Sequence, residues 1–358
     1  MKILILANND IGLYRFRKEL ITELLKEHSV TISVPYGEMV EPLIQQGCVM
    51  LDTPVDRRGI NPITDLKLMR MYQKIIKAVR PDLVITYTIK PNIYGGLVCR
   101  FSKIPYAVNV TGLGSVFEHG GALQQLVTLM YRSALKKARV VFTENSSIRD
   151  VLADQRIAPA RKICVLNGAG VNLNDFSYAA YPENAVFSFI FIGRVMKEKG
   201  VEELFEAMRR LNREGHTCVL HLVGFTEENY REEIRKGSQE GWLVDHGLQK
   251  DVRPFIAAAD CFVLPSWHEG MANTNLESAA SGRPVITTDI PGCREAVEDG
   301  KTGFLCEKRN ADSLYQAMYR MIVLSREDRI QMGVEGRAHM EKHFDKKIVV
   351  METMRRLL

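Results

Sequence analysis

The chain has 358 residues, 46% of them hydrophobic and 25% charged, the mix of a soluble globular protein of about two domains. No run of about 18 apolar residues occurs, and the opening stretch Lys2–Ala7 is closed at once by Asn8, Asn9 and Asp10, too soon for a secretory signal. The net charge of +5 is uneven: residues 1–175 carry 23 Lys and Arg against 15 Asp and Glu, and residues 176–358 carry 25 against 28. A basic first half suits an anionic partner, although ordinary solubilising charge fits the counts as well. No RNA- or DNA-binding motif accompanies it, so no nucleic-acid partner is expected. The seven cysteines lie far apart, without CxxC spacing or a clustered histidine. They read as buried thiols of a reducing compartment rather than a metal site, and the protein as cytoplasmic.

In chain order, short apolar β-branched segments read as strands: Lys2–Ala7, Ser29–Val34, Leu83–Tyr87, Tyr106–Val110, Val140–Thr143 and Ile163–Leu166. Amphipathic stretches Arg15–Lys26, Thr64–Val79 and Leu123–Lys137 read as helices between them. The pattern restarts with strands Phe187–Ile192, Cys218–Val223, Cys261–Leu264 and Val285–Thr287. Helices are expected at Glu202–Glu214, Tyr230–Lys236, Arg253–Ala258 and Asn275–Ser281. Continuous apolar strands alternating with helices predict an α/β protein of two doubly wound units, each a parallel sheet covered on both faces. The polar, proline-containing Tyr178–Ala185 marks the join, giving domains 1–178 and 179–339. A final helix over about 340–358 is placed to pack back on the first.

Phe191 to Gly200 runs from a strand through Gly193, Arg194 and Lys199 into a helix, the position at which parallel sheets bind ligands. Gly193 permits close backbone approach, and Arg194 and Lys199 suit a diphosphate as planar fork and point charge. Two solvated surface cations would look the same on this segment alone. The segment Pro265 to Glu277 then places Glu269 in a loop and Glu277 about one turn into a helix. The amides of Ala272–Asn275 form that helix's N-terminus, a site for phosphate oxygens. Carboxylates accept bonds from paired sugar or ribose hydroxyls; for Glu277 a helix-capping role is the alternative.

The Gly193-Arg194…Lys199-Gly200 loop, the pair Glu269 and Glu277, and Ser281-Gly282-Arg283-Pro284-Val285-Ile286 occur in a fixed order. With Gly292 to Gly300 and Thr302-Gly303-Phe304-Leu305, they resemble the family-4 retaining glycosyltransferases of the GT-B fold. The resemblance implies two Rossmann-like domains facing a central cleft, the second binding a nucleotide-sugar donor. It implies that Arg194 and Lys199 neutralise the leaving diphosphate, Glu277 holds the ribose and Glu269 meets the donor sugar, so that these cations and Glu269 are the catalytic groups. Gly193 and the backbone of Gly270, Met271, Ala272, Asn273 and Thr274 would contact sugar or phosphate. No DxD pair is present, so the reaction is expected to need no metal or other cofactor.

In the first half, Asn8 to Gly12 follows a strand, and Gly12 takes the place of the family's N-terminal glycine loop without its usual double glycine. Arg15 and Arg17 are candidates for acceptor phosphates, with a solvated helix face as the alternative. The segments Thr86–Gly95, with Lys90 and Asn92, and Asn109–Ser115, with Thr111 and Gly112, follow strands and are expected to be acceptor-binding loops. They look like those of the subfamily that extends undecaprenyl-diphosphate-linked sugars, which includes the N-acetylgalactosaminyltransferase of bacterial N-glycan assembly. Thr111 stands where many relatives have a histidine; His119 lies nearby.

The implied reaction is retaining transfer of a HexNAc or galactose from a UDP-sugar to a polyprenyl-diphosphate-linked saccharide, at the inner face of the plasma membrane. The basic first half, and Leu123–Arg139 with its Leu126, Leu129 and Met130, are candidate contacts with anionic lipid, and core packing explains that apolar face equally well. A UDP-sugar epimerase can share this two-domain architecture, and a non-catalytic nucleotide-sugar-binding partner is the rival of another class, against which the intact Arg194, Lys199, Glu269 and Glu277 argue. A nicotinamide dehydrogenase is weaker, because no GxGxxG follows the first strand.

Overall fold

The structure, a computed structural model, describes residues 1–56, 59, 61–114, 117, 121–226 and 230–358. The first sheet comprises β1 (Lys2–Leu6), β2 (Ser29–Val34), β3 (Val49–Asp52), β4 (Leu83–Tyr87), β5 (Tyr106–Val110), β6 (Val140–Thr143) and β7 (Ile163–Val165), in the order β3-β2-β1-β4-β5-β6-β7. Every pairing is parallel. Because successive side chains of a strand point to opposite faces, Ile3 and Ile5 enter one core and Leu4 and Leu6 another. Helices Asp10–Leu25 and Val40–Gln45, with the last helix Lys346–Leu357, cover the first face. Helices Pro62–Val79, Gly96–Ser102, Gly121–Leu135 and Ser146–Asp154 cover the second. Asparagines start several of them: Asn9 accepts from the Gly12 N–H at 2.7 Å, Asn61 from Ile63 at 2.9 Å and Asn145 from Ile148 at 2.9 Å.

The second sheet comprises β8 (Phe187–Ile192), β9 (Cys218–Val223), β10 (Leu243–Asp245), β11 (Cys261–Leu264), β12 (Val285–Thr288) and β13 (Gly303–Cys306). Its order is β10-β9-β8-β11-β12-β13, again all parallel. In each sheet the strand order reverses beside its first strand, at β1/β4 and at β8/β11. Ligands of doubly wound sheets bind at such switch points, outside the carboxyl ends of the strands.

The chain divides into Met1–Ala169 with Lys347–Leu358, and Gly170–Lys346. The first stretch thus ends at Ala169 rather than residue 178, and the second unit runs on to Lys346 rather than 339. The cause is local pairing: Val171 N–H donates to Phe344 O at 2.8 Å, Lys346 N–H to Val171 O at 2.9 Å, and Arg337 donates to Phe176 O at 2.9 Å. Beyond Lys346 the chain joins the first unit, where Val349 and Leu357 enter its core and Arg139 donates to Leu358 O at 3.0 Å. All seven cysteines are buried free thiols, and burial pushes those of Cys99, Cys218 and Cys306 up to about 12. Among the described residues no helix is long and apolar enough to cross a membrane.

Candidate active site

The switch point of the second sheet brings the loop after β8, with Arg194 and Lys199, beside the loop after β11, with Glu269. The Lys199 ammonium forms an ion pair with Glu269 Oε1, which also accepts from Ser266 Oγ at 2.8 Å. The two side chains are 19% and 13% exposed, so the pair is shielded enough for its field to act strongly, yet open to a ligand. The backbones are stitched together as well. Trp267 N–H donates to Glu198 O at 2.9 Å and Trp267 Nε1 to Glu203 at 3.1 Å, while Arg309 stacks on the indole, 4.2 Å from its centroid. Gly200 adopts φ 71°, and a Cβ there would stand 2.1 Å from Pro265 O. Only glycine meets both conditions.

A third loop, after β12, closes against the second. Ala272 N–H donates to Gly292 O at 2.7 Å, and Gly292 N–H to Glu295 Oε2 at 2.8 Å. The buried Asn275 donates to Thr287 Oγ1 at 3.0 Å, fixing the helix Asn273–Ala280 on β12. The Ala272 amide, expected to face a ligand, is therefore engaged within the protein; Asn275 N–H likewise bonds Ala272 O at 3.0 Å. The amides at the head of the helix are those of Asn273 and Thr274. Glu277 lies in the second turn of that helix, half-buried, and Arg194 is exposed just after Gly193. Met271 is buried and Gly270 half-buried beside Glu269. Beneath the site, burial and the nearby Glu269 carboxylate raise the Cys293 thiol, leaving it protonated.

At the switch point of the first sheet, Gly12 lies in the first turn of helix Asp10–Leu25 rather than in a loop. Arg15 is exposed. Arg17 differs from expectation: it is buried, bound to Glu144 at 2.8 Å, with its guanidinium 5.0 Å from the Tyr87 ring centroid. The segment after β4 is not a loop either. Pro91–Gly95 forms a π-helical turn that leads into the helix Gly96–Ser102. Asn92 is buried within it, accepting from Thr86 Oγ1 at 2.7 Å and donating to Asn109 O at 2.8 Å. Lys90 pairs with Asp65 at 2.7 Å, and Tyr94 donates to the other oxygen of Asp65 at 2.7 Å. Burial of the Tyr94 ring and that bond raise its phenol. Thr111 and Gly112 follow β5, half-buried, in irregular backbone. Ser115 and His119 lie outside the described residues. Leu123, Leu126 and Leu129 are exposed, whereas Met130 packs on the core.

Two family profiles match, the glycosyl transferases group 1 over residues 187–323 and the glycosyl transferase 4-like domain over residues 2–145. The chain belongs to the glycosyltransferases. A relative in Campylobacter jejuni, N,N'-diacetylbacillosaminyl-diphospho-undecaprenol α-1,3-N-acetylgalactosaminyltransferase, is 25% identical over 99% of this chain and 98% of its own. In Escherichia coli, UDP-Gal:α-D-GlcNAc-diphosphoundecaprenol α-1,3-galactosyltransferase is 26% identical over 74% of this chain and 72% of its own. The crystal structure of Anabaena HepE in complex with UDP-glucose shares the fold, with a TM-score of 0.81 over 100% of both chains at 17% identity.

In this glycosyltransferase the contacts made by several supporting residues escaped the sequence reading. Ser266 orients Glu269, and Glu295 and Gly292 hold the loop that engages Ala272. The short polar Ser266 immediately beyond the apolar run of β11 was the one visible signal. The Glu295 bond depends on a turn that no local pattern announces.

Proposed function

We propose that this glycosyltransferase moves a HexNAc or galactose residue from a UDP-sugar to a polyprenyl-diphosphate-linked saccharide, in bacterial surface polysaccharide or glycoprotein glycan synthesis. The end-to-end likeness to the Campylobacter transferase carries the reading. The paired Lys199 and Glu269 at a sheet switch point support it with chemistry suited to a donor. In this reading the second unit binds the donor and the first the acceptor.

Arg194 and Lys199 stabilise the charge that grows on the departing diphosphate, with the Asn273 and Thr274 amides at a helix N-terminus adding partial positive charge. The Lys199–Glu269 pair means that Lys199 is shared. A diphosphate drawing on the ammonium loosens its hold on Glu269, whose carboxylate then meets the sugar hydroxyls. Glu277 accepts from the ribose hydroxyls, and Gly193 and Gly270 let backbone lie close to the donor. No divalent ion is needed where fixed cations neutralise the leaving group. UDP-galactose and UDP-N-acetylhexosamines carry an α-linked diphosphate, and both relatives form α-1,3 linkages. Configuration is therefore retained, with attack from the face that the diphosphate leaves.

For the acceptor, Gly12 and Arg15 lie on the helix that follows β1, and Thr111 and Gly112 follow the carboxyl end of β5. Arg17, Lys90 and Asn92 support them through bonds inside the unit. Such an acceptor is held at a lipid surface, so the enzyme works on the cytoplasmic face of the plasma membrane as a peripheral protein. Incubation with a synthetic polyprenyl-diphosphate saccharide and a panel of UDP-sugars tests the reading. The expected result is an α-linked product with one UDP-HexNAc or UDP-galactose. Conversion of a UDP-sugar without acceptor, and no transfer with any donor, would indicate an epimerase instead.

A further inference from the structure

Helix Arg326–His343 carries none of the proposed donor ligands, yet its residues hold the elements that do. A Cβ at Gly333 would stand 2.2 Å from Gly282 O, so this helix runs flush against the end of helix Asn273–Ala280. Arg337 donates to Ala280 O at 2.8 Å. Two residues further on, His339 Nε2 lies 2.9 Å from Glu295 O, and its Nδ1 lies 3.2 Å from Glu298 Oε1. The Glu295 carboxylate accepts the Gly292 N–H at 2.8 Å, and Gly292 O accepts from Ala272 N–H at 2.7 Å. Gly292 also packs directly on Glu269 O and Gly270 O. A chain of contacts thus leads from the imidazole to the loop that carries Glu269.

The chemistry of the two contacts fixes what the ring must do. A carbonyl oxygen only accepts, so Nε2 carries a proton. Nδ1 faces a carboxyl that the Lys301 ammonium, and after it the His339 ring, hold below its ordinary range. In the neutral ring, Nδ1 turns a lone pair toward that anion. In the imidazolium it donates, and both bonds are made. The His339 side chain is 13% exposed, so little water is at hand to replace either partner. The other groups around the ring have partners of their own. Lys301 pairs with Glu298 at 2.8 Å and with Glu335 at 3.6 Å, and Asp299 accepts the Leu305 N–H at 2.9 Å. His343, one turn along with ring centres 5.0 Å apart, is held below its ordinary value by burial first and then by the His339 and Lys342 charges. Phe344 packs beside the ring, 5.5 Å between centres.

We propose that His339 is a positioning residue for transfer: its imidazolium ties Glu295 to Glu298 and so fixes the turn whose Gly292 backs the Glu269 loop. Loss of the Nδ1 proton breaks the bond to Glu298 and leaves two electron pairs facing each other. The turn loosens, and the placement of Glu269 on the donor sugar loosens with it. The inference rests on the donor reading of Glu269. It adds a proton-dependent brace, supplied by a helix that lies outside the sequence motifs.

Backbone amide exchange of the full-length protein, compared between variants at each pH, reads the brace without any substrate. His339→Gln keeps a donor for Glu295 O and loses the charge. Exchange across residues 270–273 and 290–298 is expected to be faster in this variant than in the wild type at neutral pH. As pH rises, the wild type should approach the variant. Glu298→Gln should lose that pH dependence, because its amide donates to the neutral Nδ1. Turnover with a UDP-sugar should follow the same pattern. In His339→Gln, kcat falls about 10- to 100-fold, the scale of a small misplacement, while affinity for UDP, which lacks the sugar, is unchanged. The alkaline fall of the wild-type profile should be absent from Glu298→Gln, and thermal unfolding shows that each variant is folded. Wild-type exchange in His339→Gln, or a wild-type alkaline limb in Glu298→Gln, would overturn the inference. Abolished transfer in Glu269→Gln with unaltered transfer in His339→Gln would leave the donor reading standing and remove the brace. Normal transfer by Glu269→Gln would sink the donor reading, and the positioning role with it, even where exchange shows the brace.

Discussion

Lys199 and Glu269, 70 residues apart, meet as an ion pair because β8 and β11 lie side by side at the switch point of the second sheet. Neither residue is remarkable within its own segment. The contact joins the candidate diphosphate clamp to the candidate sugar-binding carboxylate, so the two groups are already held together before any ligand arrives.

Arg17 and Glu144 form the comparable pair in the first unit, with side chains 9% and 12% exposed. Breaking one side of such a buried pair typically costs about 3–5 kcal/mol, because it leaves a charge without a counter-ion. Arg17→Ala is expected to lower the unfolding free energy read from denaturant titration by an amount of that order. Arg17→Met with Glu144→Leu should recover much of it. If Arg17→Ala left stability intact and raised only the acceptor KM, the side chain would be an acceptor ligand.

Gly292 has φ 86°, and a Cβ there would stand 2.7 Å from both Glu269 O and Gly270 O. Gly292→Ala must shift the loop that carries Glu269. A left-handed backbone and a displaced contact together cost about 1–3 kcal/mol, and transfer is expected to fall more than stability does. Measuring both on one preparation checks this; an active, fully stable Gly292→Ala protein contradicts the packing described.

His221 Nδ1 and His246 Nε2 lie 2.9 Å apart, and burial followed by the neighbouring His246 charge lowers the His221 pKa below its ordinary 6.5. The unfolded chain then takes up the proton more readily than the folded one, so stability rises with pH in this range. The contribution is fully present above about pH 6.5 and is lost as pH falls through the lower folded value. The thermal midpoint should be level above neutrality and decline below pH 6.5, and His221→Asn should flatten that decline.

Glu277 is proposed to hold the ribose. A hydrogen bond to a charged group is worth about 1.5–3 kcal/mol, so Glu277→Ala should weaken UDP binding about 10- to 100-fold while UDP-independent stability stays within about 1 kcal/mol. Titration calorimetry with UDP reads it directly. An unchanged affinity returns Glu277 to a purely helical role.

Much of the fold was legible because its buried strands are short segments rich in apolar and β-branched residues: Ser29–Val34, Leu83–Tyr87, Tyr106–Val110 and Cys261–Leu264 stand as read. The strands that escaped were β3, β10 and β13, all short and at sheet edges, with exposed residues such as Val49 in β3 and Val244 in β10. The start of the first helix at Asp10 was hidden by Gly12, a poor helix former that the Asn9 cap offsets. The segment Thr86–Gly95 reads as a loop because it follows a strand. Its Pro91–Gly95 part is helical, with Asn92 bonded to buried partners on two neighbouring strands. For the site, the residue types and their order were visible, but the partners were not. Arg17 with Glu144, Lys90 with Asp65 and Lys199 with Glu269 are all set by sheet order, which no local pattern encodes.

The central claim is that Lys199 and Glu269 form one donor site with separate duties, and comparing Lys199→Ala with Glu269→Gln in paired UDP-binding and sugar-transfer assays tests it most directly. Loss of a preorganised charge on the leaving group typically costs about 10²–10³ in turnover. Lys199→Ala is expected to lose both UDP affinity and transfer, and Glu269→Gln to keep UDP affinity while losing transfer. Near wild-type turnover in both folded variants would contradict the account.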